Sequence, residues 1–244
     1  MRRIALISDV HGNLTALDAV LSDIDAARVD ERYCLGDLIG YGPDPVGVID
    51  RIRGLGIPTI PGNYDEGVAQ RRGECGCHYA SEQARLDGSA SYAFTEPLVD
   101  DERAAWLMSL PKEIRFAYAG HRVLIVHGSP RKINEYLLPD RSAPQLVRLA
   151  EAAGADVVCV GHVHLPYLRR LVTAAGAEIL YISAGSVGKP KDGDPRACWA
   201  ELLLDDAGDV EAIFHRVRYD VEEVARTMRA AGLPGSLADA LRNA

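Results

Sequence analysis

The stretch Arg3-Ile4-Ala5-Leu6-Ile7-Ser8-Asp9-Val10-His11 holds the pattern on which the reading of this chain turns. A short apolar run of this kind reads as a buried strand, and two polar side chains stand where it stops. The pattern returns four times. Tyr33-Cys34-Leu35 precedes Gly36-Asp37, and Pro58-Thr59-Ile60 precedes Gly62-Asn63. Val123-Leu124-Ile125-Val126 precedes His127, and Val157-Val158-Cys159-Val160 precedes Gly161-His162-Val163-His164. Five apolar runs each deliver a metal-capable side chain at the carboxyl end, the edge at which open α/β sheets bind ligands.

The set is chemically coherent. It holds two carboxylates (Asp9, Asp37), one amide (Asn63) and four imidazoles (His11, His127, His162, His164), taking four of the chain's seven histidines. A mixed oxygen and nitrogen set suits Mn, Fe, Zn, Co or Ni better than Ca or Mg. Seven ligands are too many for one tetrahedral metal and suit two metals that share a bridge.

Between these runs the period alternates. Asn13 can cap a helix carrying Leu14, Leu17, Val20, Leu21 and Ile24 at helical spacing. Asp44-Pro45 opens a second helix with Val46, Ile49 and Ile52 on one face, and Gly54 and Gly56 end it. Residues 66–110 are polar and helical in pieces. Residues 114–118 and 123–126 read as a hairpin turning at Gly120-His121. A helix over 145–153 leads to the strand at 157–160. Two hairpins follow, 167–172 with 178–183 and 198–204 with 210–217. Asp220 and Glu223 start a last helix that Gly232 and Pro234 end. With no repeat or linker, residues 1–244 form one domain with a helical tail from about residue 220.

Composition narrows the function. The chain has 244 residues, 48% of them hydrophobic, enough to bury a core without a disulfide or structural metal. Lys plus Arg number 27 against 35 Asp plus Glu, a net charge of −8. That disfavours a basic nucleic-acid groove or a polybasic membrane patch, but it allows a small phosphorylated substrate if bound cations supply positive charge. The first apolar run is too short for a signal segment, and no stretch reaches membrane length. Five scattered cysteines, an odd number, are expected to be reduced thiols in a cytoplasmic protein. Cys34, Cys159 and Cys198 read as core, as do Trp106, Met108 and Trp199. Cys75-Gly76-Cys77-His78 lacks the second ligand pair of a structural zinc site, and a redox pair there has no further support. No feature fixes an oligomeric state.

Asp9-Val10-His11, Gly36-Asp37-Leu38-Ile39-Gly40, Gly62-Asn63-Tyr64-Asp65, Val126-His127-Gly128 and Gly161-His162-Val163-His164 resemble the five ordered motifs of the calcineurin-like metallophosphoesterases. The resemblance runs from Asp9 to His164, and the bacterial small phosphodiesterases are the type it suits. It implies an α/β fold, a four-layer α-β-β-α sandwich of two mixed sheets. It also implies that Asp9, His11, Asp37 and His164 hold one metal and that Asp37, Asn63, His127 and His162 hold the other. Mn is the first metal expected, with Fe, Zn, Ni or Co as alternatives. A hydroxide shared by the two ions would attack a phosphodiester or phosphomonoester in line.

The chain departs from the family at Tyr64, where a histidine implicated in protonating the leaving oxygen usually stands. Tyrosine, with a pKa of ~10, is a weaker acid near neutrality. Good leaving groups are therefore expected to be preferred, or Tyr64 or His78 supplies the proton. In the loop 185–196, Lys191 and Arg196 are candidates for binding substrate phosphate. The alternatives of the same fold are a nucleotide-polyphosphate hydrolase, a protein phosphatase and a non-catalytic scaffold.

Overall fold

The computed structural model describes residues 1–243. β1 (Arg2–Ile7) leads into α1 (Leu14–Ala27), whose first turn is capped by Asn13 Oδ1 accepting from the Ala16 amide at 3.1 Å. β2 (Glu31–Cys34) leads into α2 (Pro45–Gly54), capped in the same way by Asp44. The polar segment that follows is helical in three main pieces, α3 (Asn63–Ala69), α4 (Glu82–Thr95) and α5 (Asp101–Ser109). The hairpin of β3 (Ile114–Tyr118) and β4 (His121–Ile125) precedes α6 (Ala143–Ala153) and β5 (Val157–Val160). Two further hairpins, β6 (Pro166–Val172) with β7 (Glu178–Ala184) and β8 (Ala197–Leu204) with β9 (Val210–Val217), complete the sheets. The chain then forms α7 (Val221–Ala230) and α8 (Gly235–Ala240).

Both sheets are mixed. The order β2-β1-β8-β9 makes one and β3-β4-β5-β7-β6 the other. Parallel pairs at β1–β2, β4–β5 and β5–β7 sit beside antiparallel neighbours. Alternating side chains in the central strands explain the layering. In β1, Ile4 and Leu6 enter the apolar cluster between the sheets, while Ala5 and Ile7 join α1 and α2 on the outer face. In β5, Val157 and Cys159 enter the same inner cluster, while Val158 and Val160 pack with Leu146 and Ala150 of α6. Two buried sheets with helices outside each give the α-β-β-α sandwich.

The structure corrects several expectations. Pro58-Thr59-Ile60 is not a full strand: Thr59 makes one bridge to Cys34, because Pro58 has no amide to donate and can offer only its carbonyl. Met108 is 56% exposed and so is not a core residue. His121 opens β4 opposite Tyr118 rather than forming the turn. The helical tail is two helices, packed together through Val224, Met228, Leu237 and Leu241. Cys75 and Cys77 are paired as a disulfide, whereas Cys34, Cys159 and Cys198 are buried free thiols.

Candidate metal centre

The sheets end on one rim, and their loops deliver all seven candidate ligands to it, each at most 3% exposed. Asp9 and His11 follow β1, Asp37 follows β2, His127 follows β4, and His162 and His164 follow β5. Asn63 opens α3. Five of these residues have left-handed backbone: Asp9 (φ 53°), His11 (50°), Asp37 (52°), His162 (67°) and His164 (61°). Such a cluster in non-glycine residues is costly and persists only where surrounding contacts fix it. Here the contacts are visible. The amides of Asp9, His11 and Gly12 donate to the carbonyls of Gly36, Asp37 and Leu38, lacing the first two loops together.

Side-chain donors fall into two groups whose ligating atoms lie within 4.8 Å of one another, Asp9 with His11 and His164, and Asp37 with His127 and His162. Asp37 relates them, with Oδ2 3.7 Å from His11 Nε2 and 3.4 Å from His127 Nε2. Backbone carbonyls hold three imidazoles by Nδ1: Ile39 for His11 (3.0 Å), Leu35 for His127 (2.6 Å) and Lys189 for His164. An Nδ1–H donated to a carbonyl leaves the Nε2 lone pair to point into the centre.

Carboxylates are aimed in the same manner. Asp9 Oδ2 accepts from Ser8 Oγ (2.6 Å) and the His162 amide (2.9 Å), and Oδ1 is left without a partner. Asn63 donates its amide to Cys75 O (3.0 Å) and Cys77 Sγ (3.1 Å), and its Oδ1 is likewise unpartnered. His127 Nε2 and His162 Nε2 are buried without partners too. Buried polar atoms are almost always satisfied. Four orphaned acceptors or donors among the candidate ligands therefore fit cations as their missing partners, and an oxygen and nitrogen set fits divalent transition metals.

Burial and neighbouring charges oppose one another inside the centre. Burial favours a neutral Asp9, but His164, then His127 and His11, hold its carboxyl well below the ordinary range. Burial lowers His164 to about 3, with Lys191 adding to the effect. It lowers His162 to about 3 as well, helped by the nearby His127. Both imidazoles are neutral at pH 7, the form that ligates metal.

Tyr64 enters through its backbone, whose amide donates to Asp37 Oδ1 at 2.9 Å. Its side chain is 1% exposed, and its hydroxyl has no hydrogen-bond partner. Burial, with Tyr41 and Tyr79 nearby, pushes that hydroxyl well above 10. Asp65, the last residue of the motif, is a fastener: its carboxylate accepts from the amides of Leu38, Ile39 and Gly62.

Lys191 and Arg196 separate. Lys191 lines a cleft of about 460 Å³ beside the centre, together with His78. Arg196 is held by Asp194 and lines a different hollow with Arg218 and Tyr219. Lys189, Tyr79 and Tyr136 also line the cleft. No spacing rule marks them, because they reach it from segments far apart in sequence.

Comparisons with known proteins agree with this geometry. The sequence profile of the calcineurin-like phosphoesterase superfamily domain matches residues 1–205. An uncharacterized protein of Methanocaldococcus jannaschii is 32% identical over 251 residues, covering 98% of this chain and 96% of its own. The crystal structure of a metallophosphoesterase from Sphaerobacter thermophilus is 33% identical, with a TM-score of 0.77 and 99% of each chain covered. A hypothetical protein from Pyrococcus horikoshii shares the fold at 22% identity, with a TM-score of 0.81 and coverage of 99% and 98%. With matching motifs, matching fold and a profile that spans every candidate ligand, the chain belongs to the calcineurin-like phosphoesterase superfamily.

Proposed function

We propose that this protein is a phosphoesterase that works with two divalent transition-metal ions. Asp9, His11 and His164 would hold one ion, Asn63, His127 and His162 the other, and Asp37 would serve both. The observation that carries the reading is Asp37 Oδ2 standing between His11 and His127 of two buried donor groups, in which Asp9 Oδ1, His127 Nε2 and His162 Nε2 have no hydrogen-bond partner. When bound, the pair supplies Lewis acidity to the phosphoryl group and lowers the pKa of a water.

The protein's own residues do the positioning. Carbonyls of Ile39, Leu35 and Lys189 fix three imidazoles, and the Tyr64 amide fixes Asp37. Holding these groups in advance lowers the reorganisation needed as charge develops on the phosphoryl oxygens. Lys191, on the lining of the neighbouring cleft, adds a positive charge that favours a phosphorylated substrate. Arg196 would have to leave Asp194 to join it.

Metal-free protein should take up two equivalents of Mn, measured by elemental analysis, and then hydrolyse p-nitrophenyl phosphate or bis-p-nitrophenyl phosphate. His127→Ala should lose turnover while keeping its circular dichroism spectrum. Absence of turnover with Mn, Fe, Zn, Ni and Co would overturn the reading in favour of a scaffold.

A further inference from the structure

The cleft beside the metal centre shares a wall with it. Tyr136 lies against His162 (ring centroids 4.1 Å apart) and Tyr41 meets His11 edge-on (4.9 Å). Lys189 O holds His164, and Cys77 Sγ accepts from Asn63. Four cleft residues thus each touch a different candidate ligand. A phosphoryl group seated at the centre would direct one of its ester oxygens, and whatever that oxygen carries, into this space.

The lining is specific in character. Tyr41, Tyr79 and Tyr136 present aromatic rings, Lys189 and Lys191 present amino groups, and Asp87 lies on the same lining; burial, with Lys191 beside it, lowers Lys189 to about 7. Charge distribution in the surrounding loop is telling. Arg196 pairs with Asp194 and Arg216 with Asp192, but among the described residues neither lysine makes a salt bridge, and Asp87 acts on Lys189 only through space. Asp87 Oδ1 is engaged by Gln83 Nε2 and Ser236 Oγ, so in a chain of net charge −8 the two lysines make this cleft a place that favours an anion. Lys189 Nζ is stationed over the Tyr41 ring, 4.5 Å from its centroid, which orders the side chain before any ligand arrives. The far wall is Leu237 and Ala240 of α8, beyond residue 205 where the family match ends. A volume of about 460 Å³ is that of an ordinary small-molecule site.

We propose that this cleft receives the leaving half of the scissile ester and selects one that carries both a planar ring and a second anionic group, the ring against the tyrosines and the anion at Lys189 and Lys191. The inference rests on the phosphoesterase reading above. The reaction it describes is hydrolysis: water adds to phosphorus, the bond from phosphorus to the leaving oxygen breaks, and that oxygen takes a proton.

A matched pair of esters tests it. Adenosine 3′,5′-bisphosphate and adenosine 3′-phosphate differ only in the 5′-phosphate on the leaving alcohol. With Mn-loaded protein, release of the 3′-phosphate, identified by chromatography of the product (adenosine 5′-monophosphate from the bisphosphate, adenosine from the monophosphate), should show a kcat/KM at least ten-fold higher for the bisphosphate. The double variant Lys189→Gln, Lys191→Gln should bring that ratio to within about two-fold. A wild-type ratio near one, alongside turnover of p-nitrophenyl phosphate, overturns this inference alone. Loss of p-nitrophenyl phosphate turnover itself overturns the reading beneath it. Binding gives a readout independent of turnover. By calorimetry on metal-free protein, adenosine 5′-monophosphate should bind at least ten-fold more tightly than adenosine or ribose 5-phosphate, and equal binding of the three overturns the inference.

Discussion

The Tyr64 amide donates to Asp37 Oδ1 at 2.9 Å, and this turns Asp37 Oδ2 toward His11 on one side and His127 on the other. One carboxylate oxygen is spent on orientation and the second is free to be shared. Residue 64, where the family usually has histidine, therefore serves the centre through its backbone amide.

Asp37→Asn removes the shared negative charge but keeps the shape. Turnover should fall roughly 100- to 1,000-fold, the size of effect seen when one preorganised electrostatic group is lost. Bound metal should fall below two equivalents by elemental analysis. Unchanged metal content would show that Asp37 does not serve both groups.

Tyr64 itself separates two ideas about the leaving-group proton. Its hydroxyl is buried, unpartnered and harder to deprotonate than ordinary tyrosine. Tyr64→Phe should therefore change kcat for p-nitrophenyl and alkyl phosphates by less than about three-fold. General-acid catalysis is worth ~100- to 10,000-fold, so a selective collapse on the alkyl ester would identify Tyr64 as the donor. The wild type should favour good leaving groups steeply, and Tyr64→His should flatten that dependence.

Gly62 is fixed by space. A Cβ there would lie 2.0 Å from Asp37 Oδ1 and 2.2 Å from the Asp37 amide. Gly62→Ala should cost about 1–3 kcal/mol, the usual cost of overpacking, lowering Tm by about 2–12 °C and weakening metal binding with it. Gly54, at the end of α2 with nothing within 4 Å of its added methyl, is the control. Gly54→Ala should leave Tm unchanged or raise it. Equal losses in the two variants would show that the Asp37 contact is not what matters at Gly62.

Much of this architecture is legible in the chain because strand burial and ligand placement are both local signals. The apolar runs ending at Ile7, Cys34, Ile125 and Val160 each carry their polar residues just beyond, and the paired burial of Val157 to Val160 on two faces requires helices outside the sheet. What escapes the sequence is set by tertiary contact. Asp and His enter left-handed backbone more readily than most residues, but nothing in the spacing marks Asp9, His11, Asp37, His162 and His164 for it. The single bridge at Thr59 depends on which amides its neighbour can supply. Tyr136, Lys189 and Leu237 are drawn together only by the fold, and Asp194 decides where Arg196 points.

Acid stability should report on Glu201, a carboxylate 1% exposed within the first sheet. Burial alone would raise it, but Arg3 Nε at 2.6 Å and His215 Nε2 at 2.9 Å hold it below its ordinary 4.5. A carboxyl lowered in the folded state contributes stability that is fully present above its unfolded value and is lost as pH falls through the folded one. Removing one partner of a fully buried pair costs ~3–5 kcal/mol. Arg3 keeps 39% of its side chain in solvent and can turn to water, so Glu201→Gln should cost less, about 2 kcal/mol at pH 7, or ~4–8 °C in Tm. The Tm gap between variant and wild type should narrow as pH drops below 4.5, because the wild-type carboxyl then also loses its charge. A gap that stays constant from pH 7 to pH 3 would mean that the loss is one of packing around Trp199 and His215, which stack 4.0 Å apart beside it, rather than of the ion pairs.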